Sequence, residues 1–268
     1  QLPWFLDLNV FICAAGWTNP RNSVGIQPGG AHALKTTSQH WVWWKRHLVV
    51  IVLSGLGTGL LLYSRAEWST MHRWNRAIGD MSLVLVALAM AIGPMSRLWR
   101  AASRYLPYRR ELGIYAIVLA LVHATIILFG WVTLDLMRLF GFEFHPQLQQ
   151  YVMVNHGFAL ADLIGIVALL YGIVLAVTSN DFSQRWLGSS VWKYVQQGTY
   201  ILWWLSVLHT AYFLFFHFLD YHRATPEPNW ARWPFVALVL VVVLLQIAAS
   251  TVTWRKSIQP RGGRARAS

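Results

Sequence analysis

Six long apolar runs constrain this chain more than any other feature. They occupy residues 48–63, 78–96, 112–133, 158–177, 195–219 and 233–253 of 268. A helix rises about 1.5 Å per residue, so most runs, with their flanks, cross the roughly 30 Å hydrocarbon core of a bilayer. Lipid offers no partner to an unpaired backbone group, so such spans must be helical. Only 12% of the residues are charged, about half the share usual in a soluble domain. The expected fold is all-α, an integral membrane bundle of six transmembrane helices.

The formal net charge of +12 could suggest nucleic acid, but its distribution argues otherwise. Six spans put both termini and the 97–111 and 178–194 loops on one side. That side carries 16 of the 22 Lys and Arg residues. The other holds Arg65, Arg73, Arg76, Arg138, Arg223 and Arg232. This is the positive-inside pattern, which places both termini in the cytoplasm. The basic charge then reads as a topology signal and an attraction to anionic lipid, with no nucleic-acid partner. The expected location is a bacterial inner (plasma) membrane.

Three segments follow: 1–46, an N-terminal interfacial or docking segment; 47–254, the six-helix domain; and 255–268, a basic cytoplasmic tail. Residues 2–17 are apolar but short, contain Pro3 and Asp7, and lack the basic start of a signal peptide. The chain opens on Gln1 rather than Met, so the possibility of residues upstream stays open. Cys13 is the only cysteine, which excludes an intrachain disulfide and an all-cysteine metal cluster. Pro94, Pro107, Pro146, Pro226, Pro228 and Pro234 are expected to mark helix ends. Neither a Walker loop nor a dinucleotide fingerprint is present, so the chain has no nucleotide-binding domain of its own.

Two histidines, His123 and His209, lie inside apolar runs, where an ionisable group is expensive. The third span runs outward from about Arg110, which puts His123 about 20 Å up its helix. The fifth runs outward from about Lys193, which puts His209 about 24 Å up. Level imidazoles on two outward-running helices can clamp one iron, as axial ligands of a haem. The alternative is a pair of packed, hydrogen-bonded histidines. Zinc fits less well, because the apolar surroundings offer no third and fourth ligand. Ala116, Ala120 and Ser206 lie on roughly the histidines' faces, where small residues admit a flat macrocycle or simply pack helices.

The flanking motifs extend this reading. Gly93-Pro94-Met95-Ser96-Arg97-Leu98, then Arg109-Arg110-Glu111-Leu112-Gly113 and the helix to His123, resemble the ferric reductase-like transmembrane family, as does Trp192-Lys193 through His209. Its members include ferric reductases, NADPH oxidase membrane domains and the haem-binding subunit of periplasmic methionine sulfoxide reductase. The resemblance covers roughly residues 48–254 and implies a haem b protein that passes electrons outward. It implies that His123 and His209 ligate an outer haem. The positions that would hold an inner haem carry Arg109 and Gln196 instead, which leaves one haem. Gln196 then contacts a flavin or quinone, or satisfies a neighbouring helix.

The implied function is a membrane b-type cytochrome that takes electrons from a flavoprotein or quinol and passes them to an outer-face acceptor. The alternative is a non-redox structural or docking subunit of a larger membrane complex on the same fold. A transporter fits poorly, since no inverted repeat is evident. Asp80 and Asp162 are read as the only acids within the spans, near their outer ends, either snorkelling or forming a proton site. His156, His217, Arg138 and Arg223 are outer-side candidates to pair with haem propionates, or else solvated loop and helix-end groups. His145 and His222 are read as loop residues, and His32, His40 and His47 are given no role. Trp41, Trp43 and Trp44 read as an interface anchor. Trp203 and Trp204 either line an electron path or pack as large aromatics.

Overall fold

The computed structural model describes residues 31–153, 157–216 and 229–258. Of the interfacial or docking segment expected over 1–46, residues 1–30 lie outside the described residues, as does the tail beyond Ile258, whereas residues 31–46 begin the first helix. Six helices are long and apolar enough to cross a membrane, and the chain is an integral membrane protein.

In chain order, α1 is Ala31–Tyr63, α2 Thr70–Leu98 and α3 Tyr108–Ile126, with a 3-10 turn at Arg100–Tyr105 between α2 and α3. A short α4 (Leu136–Leu139) and a hairpin of β1 (Phe142–His145) and β2 (Gln150–Met153) follow. Next come α5 (Phe158–Thr178), α6 (Asp181–Leu187), α7 (Ser189–Gln197), α8 (Thr199–Ala211) and α9 (Arg232–Ile258). One span combines α7 and α8. The hairpin pairs Phe142 with Met153 and His145 with Gln150, and its connection holds Pro146. It is the one element of β-structure among the described residues, and its four-residue strands are too short for the period-2 pattern to stand out in sequence.

Helix α2 forms the centre. It packs against α1, α3, α8 and α9, while α5 pairs with α8. Ala77, Ile78, Leu85, Ala87, Ala89 and Met90 are all buried. Small residues at these contacts let backbones approach, the usual basis of helix association in lipid. Ser82 Oγ donates to the carbonyl of Ala116 at 2.8 Å, and Ala116 is fully buried. Ala116 is therefore a helix-packing position. Leu160, Leu170, Val174, Leu240 and Leu244 point outward, as expected of a lipid-facing surface.

Two expectations need correction. Pro94 does not end its helix: α2 runs on to Leu98 and closes with Trp99 N–H on the carbonyl of Met95 at 2.8 Å. Membrane helices tolerate proline because neighbouring groups satisfy the backbone it frees. Pro107, by contrast, caps α3, and Pro234 sits in the first turn of α9, where its missing N–H is no loss. Glu111 is the second correction, for it is a further acid inside a span. It is buried in the first turn of α3 and pairs with Arg46 of α1 at 3.2 Å.

Asp80 does not simply snorkel. It forms an ion pair with Arg65, whose side chain is 1% exposed and lies over the rings of Trp68 and Trp230. Removing one partner strands a buried charge, typically at about 3–5 kcal/mol. Asp80→Ala is therefore expected to destabilise the protein by about 3 kcal/mol or more. Equilibrium unfolding in detergent micelles measures this, and an unchanged midpoint would contradict the role given to the pair.

Candidate functional site

His123 lies in the last turn of α3 and His209 in the last turn of α8. Both helices widen to π-geometry just beyond, over Ile127–Trp131 and Tyr212–Phe216. Such π-segments recur at functional sites. The two imidazoles face each other with ring centroids 6.4 Å apart and planes at 87°.

Each ring is held in the same way. His123 Nδ1 lies 3.0 Å from the carbonyl oxygen of Asn75, and His209 Nδ1 lies 2.8 Å from that of Ala161. A carbonyl only accepts, so Nδ1 donates in both cases and each Nε2 keeps its lone pair. One helical turn beyond each carbonyl stands a glycine. A Cβ on Gly79 would lie 2.9 Å from His123 Nδ1, and one on Gly165 would lie 2.7 Å from both Nδ1 and Cε1 of His209. Neither distance is one that a side chain can occupy.

The two contacts are copies. Each histidine follows its carbonyl partner by 48 positions, so the α2–α3 pair repeats as the α5–α8 pair in the same direction. The signal in the sequence is the dipeptide Ile-Gly, at Ile78-Gly79 and Ile164-Gly165, set at one distance before each histidine. A search for inverted repeats passes over a direct one.

Two imidazole nitrogens about 2 Å from one metal leave ring centroids roughly 6 Å apart. The observed separation suits a single metal held by both Nε2 atoms. Among the described residues no cluster of three or more His, Cys, Asp or Glu is placed to hold a metal ion. The pair therefore suits a metal that brings its other ligands with it, as haem iron does. Arg76 adds positive charge. Its guanidinium lies 5.6 Å from the ring of Phe213, which in turn lies 5.0 Å from the ring of His209.

Residues 76–203 match the family described as ferric reductase like transmembrane component. Over that stretch, just under half of its length, the chain is similar to ferric reductase-like transmembrane components. The matched segment holds Arg76, Gly79, His123 and Gly165 and stops short of His209. The magnetosome protein MamZ of Magnetospirillum gryphiswaldense is 25% identical over 189 residues, 70% of this chain and 24% of that protein. The chain thus spans about a quarter of that relative's length.

Within the matched stretch, Arg109 and Gln196 fasten helices. Arg109 Nε donates to the carbonyl of Ala89 at 3.1 Å, and its guanidinium lies against Gly93, where a Cβ would come within 3.4 Å. Gln196 Nε2 donates to Thr178 Oγ1 at 3.0 Å, and its Oε1 accepts from Ser179 Oγ at 3.3 Å. The amide is thereby spent on the end of α5.

The remaining candidates scatter. Arg138 reaches Thr133 Oγ1 at 3.5 Å from an exposed position. Arg223, His156, His217 and His222 lie outside the described residues, as do the side chains of His32 and His40. His145 Nδ1 accepts from the N–H of Leu148 in the hairpin connection. His47 Nδ1 lies 3.2 Å from the hydroxyl of Tyr115 and joins α1 to α3. Trp203 is fully buried in the core, whereas Trp204 is about half exposed. Asp162 follows Ala161, and its Oδ2 is buried without a hydrogen-bond partner. Sequence reasoning placed Arg76 on the outer side without a role, because the apolar run of α2 begins two residues later. Gly79, Gly165 and the two carbonyls carry no signal in a search for ionisable residues.

Proposed function

We propose that this chain is a membrane b-type cytochrome in which the Nε2 atoms of His123 and His209 hold one haem. The observation that carries this reading is the pair itself: two rings 6.4 Å apart, each tied back through Nδ1 to a backbone carbonyl. Haem held there by His123 and His209 would supply a one-electron couple suited to electron transfer rather than to direct oxygen chemistry.

The rest is work for the chain's own residues. The Nδ1–H bonds fix the tautomer and orientation of each imidazole and raise the basicity of the ligating nitrogen. Gly79 and Gly165 let the rings lie against the backbones of α2 and α5. Arg76 sets a cation beside the pair, suited to a carboxylate such as a haem propionate. The helix contacts made by Arg109 and Gln196 support a single haem. The excess of Lys and Arg on one side supports cytoplasmic termini in a bacterial plasma membrane. In that orientation the histidines stand in the outer half and serve an acceptor on the outer face. The ferric reductase-like stretch supports a redox role, with a flavoprotein or quinol as donor.

A reduced-minus-oxidised absorption spectrum of the purified full chain tests the reading. Low-spin b-type bands that do not respond to carbon monoxide are expected, because His123 and His209 together would leave the iron no site for it. Protein that stays free of haem when produced with ample haem would overturn it.

A further inference from the structure

A second site lies toward the other end of the bundle. Residues of α2, α8 and α9 enclose a cavity of about 290 Å³, lined among others by Pro94, Arg97, Tyr200, Trp204, Gln246 and Ile247. Trp204 is 47% exposed and Ile247 55% exposed on the lipid-facing surface, so the opening faces hydrocarbon. An occupant entering there must dissolve in the bilayer.

Its lining is mostly apolar but includes a few polar side chains. Gln246 lines the cavity, and its Nε2 is buried without a hydrogen-bond partner. An unmet amide donor in an apolar medium costs on the order of a few kcal/mol, so it calls for an acceptor. Tyr200 and Arg97 line the same space and are polar residue types. Pro94 and Trp204 add flat apolar surface. At the small end of ligand pockets, the volume suits one substituted ring better than a dinucleotide.

From these features we infer that the cavity binds the head group of a membrane quinone, with Gln246 donating to a ring carbonyl. Nine residues of α8 separate Tyr200 from His209, about 14 Å along the helix. Trp204 is about 6 Å nearer along the same axis. The site therefore stands between the Arg97 end of the bundle and the histidine pair, in the stretch that an inner haem would otherwise fill. That position makes it a donor site for the electron carrier proposed above, and this role rests on that reading.

Photolabelling of the full chain in lipid nanodiscs with an azido-ubiquinone tests the inference. Label is expected in peptides containing Tyr200–Trp204 and Val243–Thr251, and excess decylubiquinone should compete it away. Gln246→Leu is expected to cut the labelling at least fivefold while the haem spectrum stays unchanged, and Tyr200→Phe should lower it less. Label spread over the lipid-facing surface without competition would overturn the site. So would wild-type labelling in Gln246→Leu, or a tightly held phospholipid found in the cavity by native mass spectrometry. Specific, competed label on protein that carries no haem would uphold the quinone site and overturn its role as donor.

Discussion

His123→Ala and His209→Ala are each expected to remove the b-type spectrum, lowering haem per protein at least about tenfold. Haem b is held without covalent attachment, so the two axial bonds carry much of its retention. Either loss also strands the remaining imidazole opposite a gap. The ligand role and a purely structural one are told apart by His209→Met. A thioether can serve as the sixth ligand and raises the potential of the iron. His209→Met should therefore retain a low-spin haem with a more positive midpoint, whereas His209→Ala should not. Equal loss of folded protein in all three variants would assign the histidines to packing.

The second large effect falls on a residue that bears no ligand atom. Gly165→Ala places a Cβ 2.7 Å from Nδ1 and Cε1 of His209. The ring must swing away, which breaks its bond to the carbonyl of Ala161. Loss of such an outer contact typically weakens metal binding roughly 10–100-fold. The expected result is haem binding weakened by that factor, with the fold retained. Gly79→Ala should act likewise through His123, where the added atom would come within 2.9 Å of Nδ1. Gly113 supplies the control, because a Cβ there meets nothing within 4 Å. Titration of haem into the apoproteins measures all three. Full affinity in Gly165→Ala would contradict the cradle.

Much of the fold was legible because lipid imposes it. Length and hydropathy identify six spans, since only helices satisfy their own backbone in hydrocarbon. The histidine pair was legible for the same reason, as depth along a helix follows from its rise per residue. Pro94 was not, because the rule that proline ends helices belongs to water, where no neighbouring helix compensates. The hairpin was missed because four-residue strands carry too little pattern. At the site, reasoning from ionisable residues found the histidine pair and passed over what orients it. Backbone carbonyls and glycines declare a function only once their partners are known, and those partners lie 48 positions away. Gln246 sits deep in an apolar helix, and only the cavity beside it sets its amide apart from ordinary packing.

The central claim is that one haem is held by His123 and His209 in a fold whose other ligand positions are taken by Arg109 and Gln196. The haem-to-protein ratio of the purified, haem-replete chain tests it most directly. A pyridine haemochrome assay against amino-acid analysis should return one haem per chain. A ratio of two would contradict the roles given to Arg109 and Gln196, and a ratio near zero would contradict the assignment of the histidine pair.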